Sequence, residues 1–338
     1  MLTSVEGRDF MRGMEETGVA MATQFTQVDE ATAAAHPGPD DWSIKQNIAH
    51  VSDTEPGLID EAFELAANSG ATIGHPPGAL WGEAQHTADG RPLAEIIAEF
   101  AAVNRATLER LAKLTDEDFL KPGTHRGYGP VTVQSTLMVV LQHRRAHILQ
   151  NHSNLVSLRI RREGRVPSDA YTDSGGGGAP VLFLDAAGSK WDPVLPELSG
   201  DYRLIHYKYI ARPADIEQLR QDLGFDTLWI AGTATGAIDA CKYAFAFPAG
   251  VAGLVLANLP VLPFARDGGP DDFSVIAAPT LTLAGESHPH VVQLQERGRQ
   301  FPNHRVQVVA GSGRNVPGEQ PAATAAALRA FIPTAVRT

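Results

Sequence analysis

The stretch "LQHRRAHILQNH", residues 141–152, carries His143 and His147 four positions apart. On a helix turning about 100° per residue, that spacing brings two imidazoles onto one stripe, close enough to share one divalent ion. Imidazole nitrogens suit divalent ions of borderline softness. The pair alone reads more simply as two solvated side chains beside Arg144 and Arg145, so a third ligand from another element has to separate the readings. His50, in "DDWSIKQNIAHVSDTE", is the best candidate. Thr136, Val140, His143 and His147 share a stripe beside an apolar arc that includes Val133, Leu137 and Ile148, and this face is expected to turn toward a helical interior or its mouth. His152 lies five positions beyond His147 and nine beyond His143. It is rotated about 140° and 180° from them and is expected to point out of the site.

The elements that must position these residues follow from apolar periodicity. Stretches 7–28, 43–67, 93–113 and 131–157 repeat apolar residues at three and four spacing, which predicts four main helices in a bundle. Ser43 and Thr132 are suitable N-caps, and Thr115 opens "TDED", a capping box for a short helical turn. The segment "SDAYTDSGGGGAP", residues 168–180, has four consecutive glycines and little apolar content, so ordering its backbone costs entropy that burial does not return. The predicted organisation is a helical domain at 1–160, a Gly-rich linker at 161–178 and an α/β domain at 179–338. A chain of 338 residues is long enough for two such domains. Beyond the glycines, "PVLFLDAAG", "TLWIAG", "AGLVLANLP" and "PTLTLAG" alternate with helical segments, as in a mostly parallel sheet with crossover helices.

Trp42, Ser43, His50, the acidic Asp53 or Glu55, and His143 with His147 together resemble the pattern of the DinB-like metal-binding four-helix-bundle superfamily over roughly residues 1 to 160. The resemblance implies a bundle in which His50, His143 and His147 hold a divalent metal, zinc first and nickel second, with at least one coordination position open for chemistry. Each ligand's other ring nitrogen should then donate to a carboxylate or carbonyl, for which Asp53 or Glu55 are candidates. His36, His75, His86 and His125 occupy loop-like stretches and read as surface residues. Trp81, in "GALWGEAQH", reads as a core plug rather than as lining the mouth of the site with His86.

In "DTLWIAGTATGAIDACKYAFAFP" a strand runs into Gly232, Thr233, Ala234, Thr235 and Gly236 and then a helix. This resembles the nucleophile elbow of the α/β-hydrolase fold, with Ala234 at the nucleophile position, where it has no group to attack a carbonyl. His288, in "LAGESHPH", stands where the triad acid is expected, and Arg314, in "GSGRNVPGEQP", where the base is expected. Asp185 and Ala186 occupy the usual oxyanion loop, where a negative charge disfavours an oxyanion. The resemblance covers about residues 179 to 335 and implies a minimal sheet whose catalytic triad is replaced. The family's first two strands are missing, and about fifteen residues between the strands at "VLANLP" and "PTLTLAG" are too few for a lid. A new constellation of Asp185, His288 and Arg314, or a structural ion pair among them, stays open. Cys241 reads as buried packing.

Composition bounds the function. A formal net charge of −11 opposes binding to phosphate backbones, so nucleic acid is not an expected partner. The basic run "RIRREGR" at 159–165 reads as a solvated segment without a functional role. The sequence shows neither an apolar run of about 18 residues for a membrane span nor a secretory pattern at its start. With one cysteine there is no internal disulfide, and a cytoplasmic location is expected. The DinB-like resemblance implies a metal-dependent transferase that adds a low-molecular-weight thiol, such as mycothiol or bacillithiol, to a small electrophile. Water in place of the thiol makes the protein a metal-dependent hydrolase or cyclase. The reading from another class is a small-molecule-binding or self-resistance protein, with the hydrolase-like domain as a pocket wall or homodimer surface. The loops at 70–92 and 121–131, which would choose the substrate, carry no recognisable motif.

Overall fold

The computed structural model describes residues 2–74, 84–127, 129–185, 190–260 and 272–333, and it divides into two compact units, Met1–Leu158 and Arg159–Thr338. The first unit contains α1 (Val5–Thr23), α2 (Glu30–Ala34), α3 (Ile44–Ala67), α4 (Ala84–Thr87), α5 (Leu93–Leu111), α6 (Asp116–Leu120) and most of α7 (Val133–Glu163). The four long helices, α1, α3, α5 and α7, correspond to the four expected from periodicity. Their starts follow local chemistry. Ser43 Oγ accepts the Gln46 N–H while the Gln46 side chain accepts the Ser43 N–H, and Thr115 makes the same reciprocal box with Asp118. Thr132 Oγ1 accepts the Ser135 N–H at the start of α7. Helix α1 ends five residues before the expected 28, at a turn that carries Phe25 into the core at 0 % exposure.

A small sheet absent from the four-helix expectation joins β1 (Thr72–Ile73), β2 (Pro122–His125) and β3 (Gly129–Thr132), with β1 parallel and β3 antiparallel to β2. Two apolar clusters fill the helical unit. One gathers Phe10, Met14, Ile59, Leu65, Leu111 and Leu137, and the other Met21, Phe25, Ile44, Ile48, Ile96 and Phe100. Along α3 the second cluster takes residues up to Val51 and the first resumes at Ile59, so Glu55 falls in the gap. Arg144 falls in the matching gap on α7, between Leu141 and Ile148.

The second unit holds β4 (Tyr171–Asp173), β5 (Pro180–Leu184), α8 (Leu195–Leu198), β6 (Arg203–Tyr207), α9 (Pro213–Asp222), β7 (Leu228–Thr233) and α10 (Thr235–Ala246). It continues with β8 (Val251–Ala257), β9 (Thr280–Gly285), α11 (Val291–Gly298), β10 (His304–Val309), α12 (Val316–Glu319) and α13 (Pro321–Phe331). The sheet order is β10-β9-β8-β7-β5-β6-β4, parallel throughout except for the antiparallel edge strand β4. Strands such as β9 are buried along their whole length, as continuous apolar runs covered by helices require.

The segment expected to be a linker, 161–178, is more ordered than its composition suggests. Residues up to Glu163 complete α7, and Tyr171–Asp173 pair with β6. The backbone bonds of the edge, together with an ion pair between Asp173 and Arg203 at 2.7 Å, supply what apolar burial does not. The expected loss of two leading strands is corrected to the same extent, because β4 occupies an antiparallel edge. Residues 261–271, on which the absence of a lid depends, lie outside the described residues.

Candidate metal centre

Helix α3 presents His50, and α7 presents His143 and His147 one turn apart. Their Nε2 atoms converge: His50 and His143 are 3.1 Å apart, His143 and His147 are 3.1 Å apart, and one nitrogen from each of the three lies within 4.8 Å of the others. Nitrogens about 2.0–2.1 Å from one tetrahedral ion lie roughly 3.3 Å from each other, so the spacing is that of ligands on one centre. Among themselves the rings are not satisfied. His143 Nε2 faces two like atoms but has a single hydrogen or a single lone pair to offer. A divalent cation satisfies all three lone pairs at once, and the residues present therefore fit one.

The imidazoles are held neutral, the form that ligation requires. Burial, then the neighbouring His143, lowers His50 to about 4 against a small opposing effect of Asp53. Burial lowers His143, and burial followed by His143 and His50 holds His147 well below its ordinary value. One consequence concerns the metal-free protein. Unfolded histidines take up a proton below about pH 6.5, whereas folded His50 does so only near pH 4, so the unfolded state binds more protons in between. Stability is expected to fall as pH drops from about 6.5 toward 4, by up to about 1.4 kcal/mol per pH unit for each depressed histidine, and these rings contribute no slope above that window. Urea denaturation of chelator-treated protein at intervals from pH 7.5 to 4.5 reads this directly. A level profile contradicts the burial of neutral rings.

The surroundings differ in part from the sequence expectation. Glu55, a candidate acceptor for a ligand ring, is committed elsewhere: its carboxylate takes Arg144 Nε and Nη2, each at 2.6 Å, and the Thr107 hydroxyl at 2.7 Å. Asp53 is exposed. The acceptor for His147 Nδ1 is Asn47 Oδ1 at 3.0 Å, and Asn47 Nδ2 donates in turn to Asn151 Oδ1 at 2.8 Å. Asn47 precedes His50 by one helical turn. The available signal was an asparagine, a poor helix former, inside a run of apolar helix, where it needs a hydrogen bond to justify itself. The Trp42 ring stacks on His147 at 6.1 Å and meets His50 edge-on at 4.7 Å, closing that side of the cluster. A shallow, open depression along α7 is lined by Ser135, Met138, Val139, Gln142, His143 and Ala146.

His152 turns away as helix geometry requires, with its Nε2 2.8 Å from Gln24 Oε1 and its ring on Phe25. Arg144, beside His143 in sequence, is fully buried. His125 is also not a surface residue. Its side chain is 12 % exposed, with Nε2 3.6 Å from buried Glu61. His36 bonds the Asp41 carbonyl and Asp89, and His86 is exposed. His75, Trp81 and Ala186 lie outside the described residues.

In the second unit, Ala234 adopts φ 51° and ψ −118° between β7 and α10, the strained turn that an elbow requires. The flanking glycines are obligatory. A Cβ on Gly232 would fall 2.3 Å from the Gly236 carbonyl, and one on Gly236 would fall 2.1 Å from the Leu184 carbonyl. Asp185 is buried, accepts the Lys190 N–H and lies 3.5 Å from His206. His288 Nδ1 accepts the His290 N–H, and burial followed by the charge of Arg314 lowers its pKa. Cys241 is buried, which pushes its thiol far above the range of a reactive thiolate. Arginine remains protonated and cannot act as a base. Ala234→Ser is therefore expected to leave p-nitrophenyl acetate hydrolysis within about tenfold of background, well short of the 10²–10⁴ that a positioned base contributes. A larger gain would show that a base is in reach.

No helix among the described residues is long and apolar enough to cross a membrane. No curated protein matches the chain. Solved structures similar to it include a thermophilic esterase from Thermogutta terrifontis, 18 % identical, covering 48 % of this chain and 92 % of its own with a TM-score of 0.42. A carboxylesterase from Bacillus subtilis is 16 % identical, covering 48 % and 86 % at a TM-score of 0.41. Naproxen esterase from Bacillus subtilis is 17 % identical, covering 48 % and 86 % at 0.40. The model of the DinB superfamily matches residues 15–150, a span that contains all three clustered histidines. Residues 15–150 are thus similar to the DinB superfamily, and the second unit carries a mostly parallel seven-stranded sheet.

Proposed function

We propose that the helical unit is a metal-dependent enzyme acting on a small electrophile, with His50, His143 and His147 as the ligands, zinc as the first candidate metal and a low-molecular-weight thiol as the cosubstrate. The observation that carries this reading is the convergence of three neutral imidazole nitrogens with no satisfactory arrangement of hydrogens among themselves. A divalent ion bound there would supply Lewis acidity that lowers the pKa of a thiol or water toward neutrality. The chain's residues perform the rest. His50, His143 and His147 would hold the ion, and the Trp42 ring covers His50 and His147. The shallow depression that includes His143 is lined mostly by the apolar side chains of Met138, Val139 and Ala146, which suit the carbon frame of a small electrophile.

In the same reading the hydrolase-like unit contributes no serine-type chemistry, since Ala234, His288 and Arg314 stand at the three triad positions. Elemental analysis of protein purified without chelator is expected to give about one zinc or nickel ion per chain. Turnover of an electrophile with a thiol cosubstrate should vanish on chelation and return with metal. Turnover that needs metal but no thiol shifts the assignment to a hydrolase or cyclase. Stoichiometric capture of a small molecule without turnover shifts it to sequestration, and a protein that binds neither zinc nor nickel overturns it.

A further inference from the structure

We infer that Asn47 and Asn151 form a positioning relay that sets the tautomer of His147, keeping its Nε2 lone pair aimed into the histidine cluster; the inference deepens the metal reading. A neutral imidazole carries one hydrogen, and whichever ring nitrogen holds it cannot be a ligand atom. At His147 the choice is made by the group facing Nδ1. That group is Asn47 Oδ1, at 3.0 Å, which accepts and so retains the hydrogen on Nδ1. An asparagine amide offers an oxygen on one edge and an NH2 on the other, and turned over it would donate to Nδ1 and drive the hydrogen to Nε2. Asn151 biases that choice through the oxygen edge it turns to Asn47, while its own Nδ2 is buried without a hydrogen-bond partner among the described residues. Its Oδ1 accepts Asn47 Nδ2 at 2.8 Å, which leaves Asn47 Oδ1 as the edge facing His147.

The relay is built into the packing. Asn47 and Asn151 are both 0 % exposed, so no bulk water competes for either amide. They come from α3 and α7, the two helices that supply the ligands, and each lies near one on its own helix: Asn47 precedes His50 by three residues, and Asn151 follows His147 by four. The same contacts that hold the ring therefore tie the two helices beside the cluster. His50 and His143, whose Nδ1 atoms have no hydrogen-bond partner among the described residues, have no such device, which makes His147 the ring with the fixed orientation.

The test uses the full chain labelled with 15N-histidine. Long-range 1H–15N correlation of the metal-free protein reads the tautomer of His147, and chelator competition reads zinc affinity. In the unaltered protein His147 is expected as the Nδ1–H form. Asn151→Ala, which frees the Asn47 amide to turn, is expected to move His147 toward the Nε2–H form and to weaken zinc binding by about 10- to 100-fold. Asn47→Asp, which can only accept, is expected to retain the Nδ1–H form and to restore both readouts when combined with Asn151→Ala. A role confined to packing would not predict that rescue. The Nε2–H form in the unaltered protein, or an unchanged tautomer in Asn151→Ala, overturns the relay. The expected tautomers in a protein that binds no zinc leave the relay standing and remove the metal reading, so the two failures are distinguishable.

Discussion

Arg144→Met is expected to destabilise the helical unit by about 3–5 kcal/mol, the largest effect of any single substitution considered. Arg144 and Glu55 are both fully buried and meet through two bonds of 2.6 Å. The remaining capacity of the pair is also used: Arg144 Nη1 donates to the Met14 carbonyl at 2.9 Å, Thr107 donates to Glu55, and the guanidinium lies over the Phe100 ring at 5.4 Å. Removing the cation alone leaves a carboxylate with no counter-charge in a space between two apolar clusters, and its desolvation is then uncompensated. The pair itself contributes far less than this figure, because taking two ions out of water offsets most of their attraction. The double variant Arg144→Met with Glu55→Leu is therefore expected to recover most of the loss. Urea unfolding of the single and double variants checks both statements. A single variant within about 1 kcal/mol of the unaltered protein would show that the carboxylate is readily protonated or hydrated there.

His147→Ala is expected to weaken zinc binding by at least about 100-fold while leaving the metal-free fold intact. One of three convergent nitrogens is lost, and with it the ring whose orientation is held from behind by Asn47. Deleting the ring also leaves buried Asn47 Oδ1 without its donor, at a cost of about 1–3 kcal/mol in the metal-free protein, while the Asn47–Asn151 bond still joins α3 to α7. The thermodynamic readout follows from mass action. Free zinc at 100 times the Kd of the unaltered protein stabilises it by about 2.7 kcal/mol, and a 100-fold weaker site leaves about 0.4 kcal/mol at the same concentration. Melting with and without zinc separates the two. His152→Ala serves as the comparison: it breaks a bond to Gln24 outside the cluster and should leave zinc binding unchanged. Equal zinc stabilisation in His147→Ala and the unaltered protein would place the ion elsewhere.

The pairing of His143 with His147 was legible because helical spacing is a local property. Residues four apart share a face whatever the helix packs against, which paired His143 with His147 and turned His152 away. Caps were legible for the same reason: Ser43, Thr115 and Thr132 each bond a backbone N–H three residues on. The hydrolase-like elbow was also visible, since a strand, two glycines two residues either side of Ala234 and a helix specify a turn without reference to distant partners.

What periodicity could not supply was the identity of partners far apart in the chain. Glu55 looked like a support for a ligand because it follows His50 closely, yet its partner is 89 residues away on α7, one position beyond His143. Asn47 meets Asn151 across 104 residues, and His125 reaches Glu61 from a strand read as loop. The edge strand Tyr171–Asp173 likewise depends on β6, which follows it by some thirty residues, while its own composition reads as linker. The sequence by itself determined which residues share a helical face and where helices begin, through the fixed turn of a helix and the demands of its ends. Only the tertiary structure decided which buried polar groups satisfy one another, because that choice is made by the desolvation of groups that meet after folding.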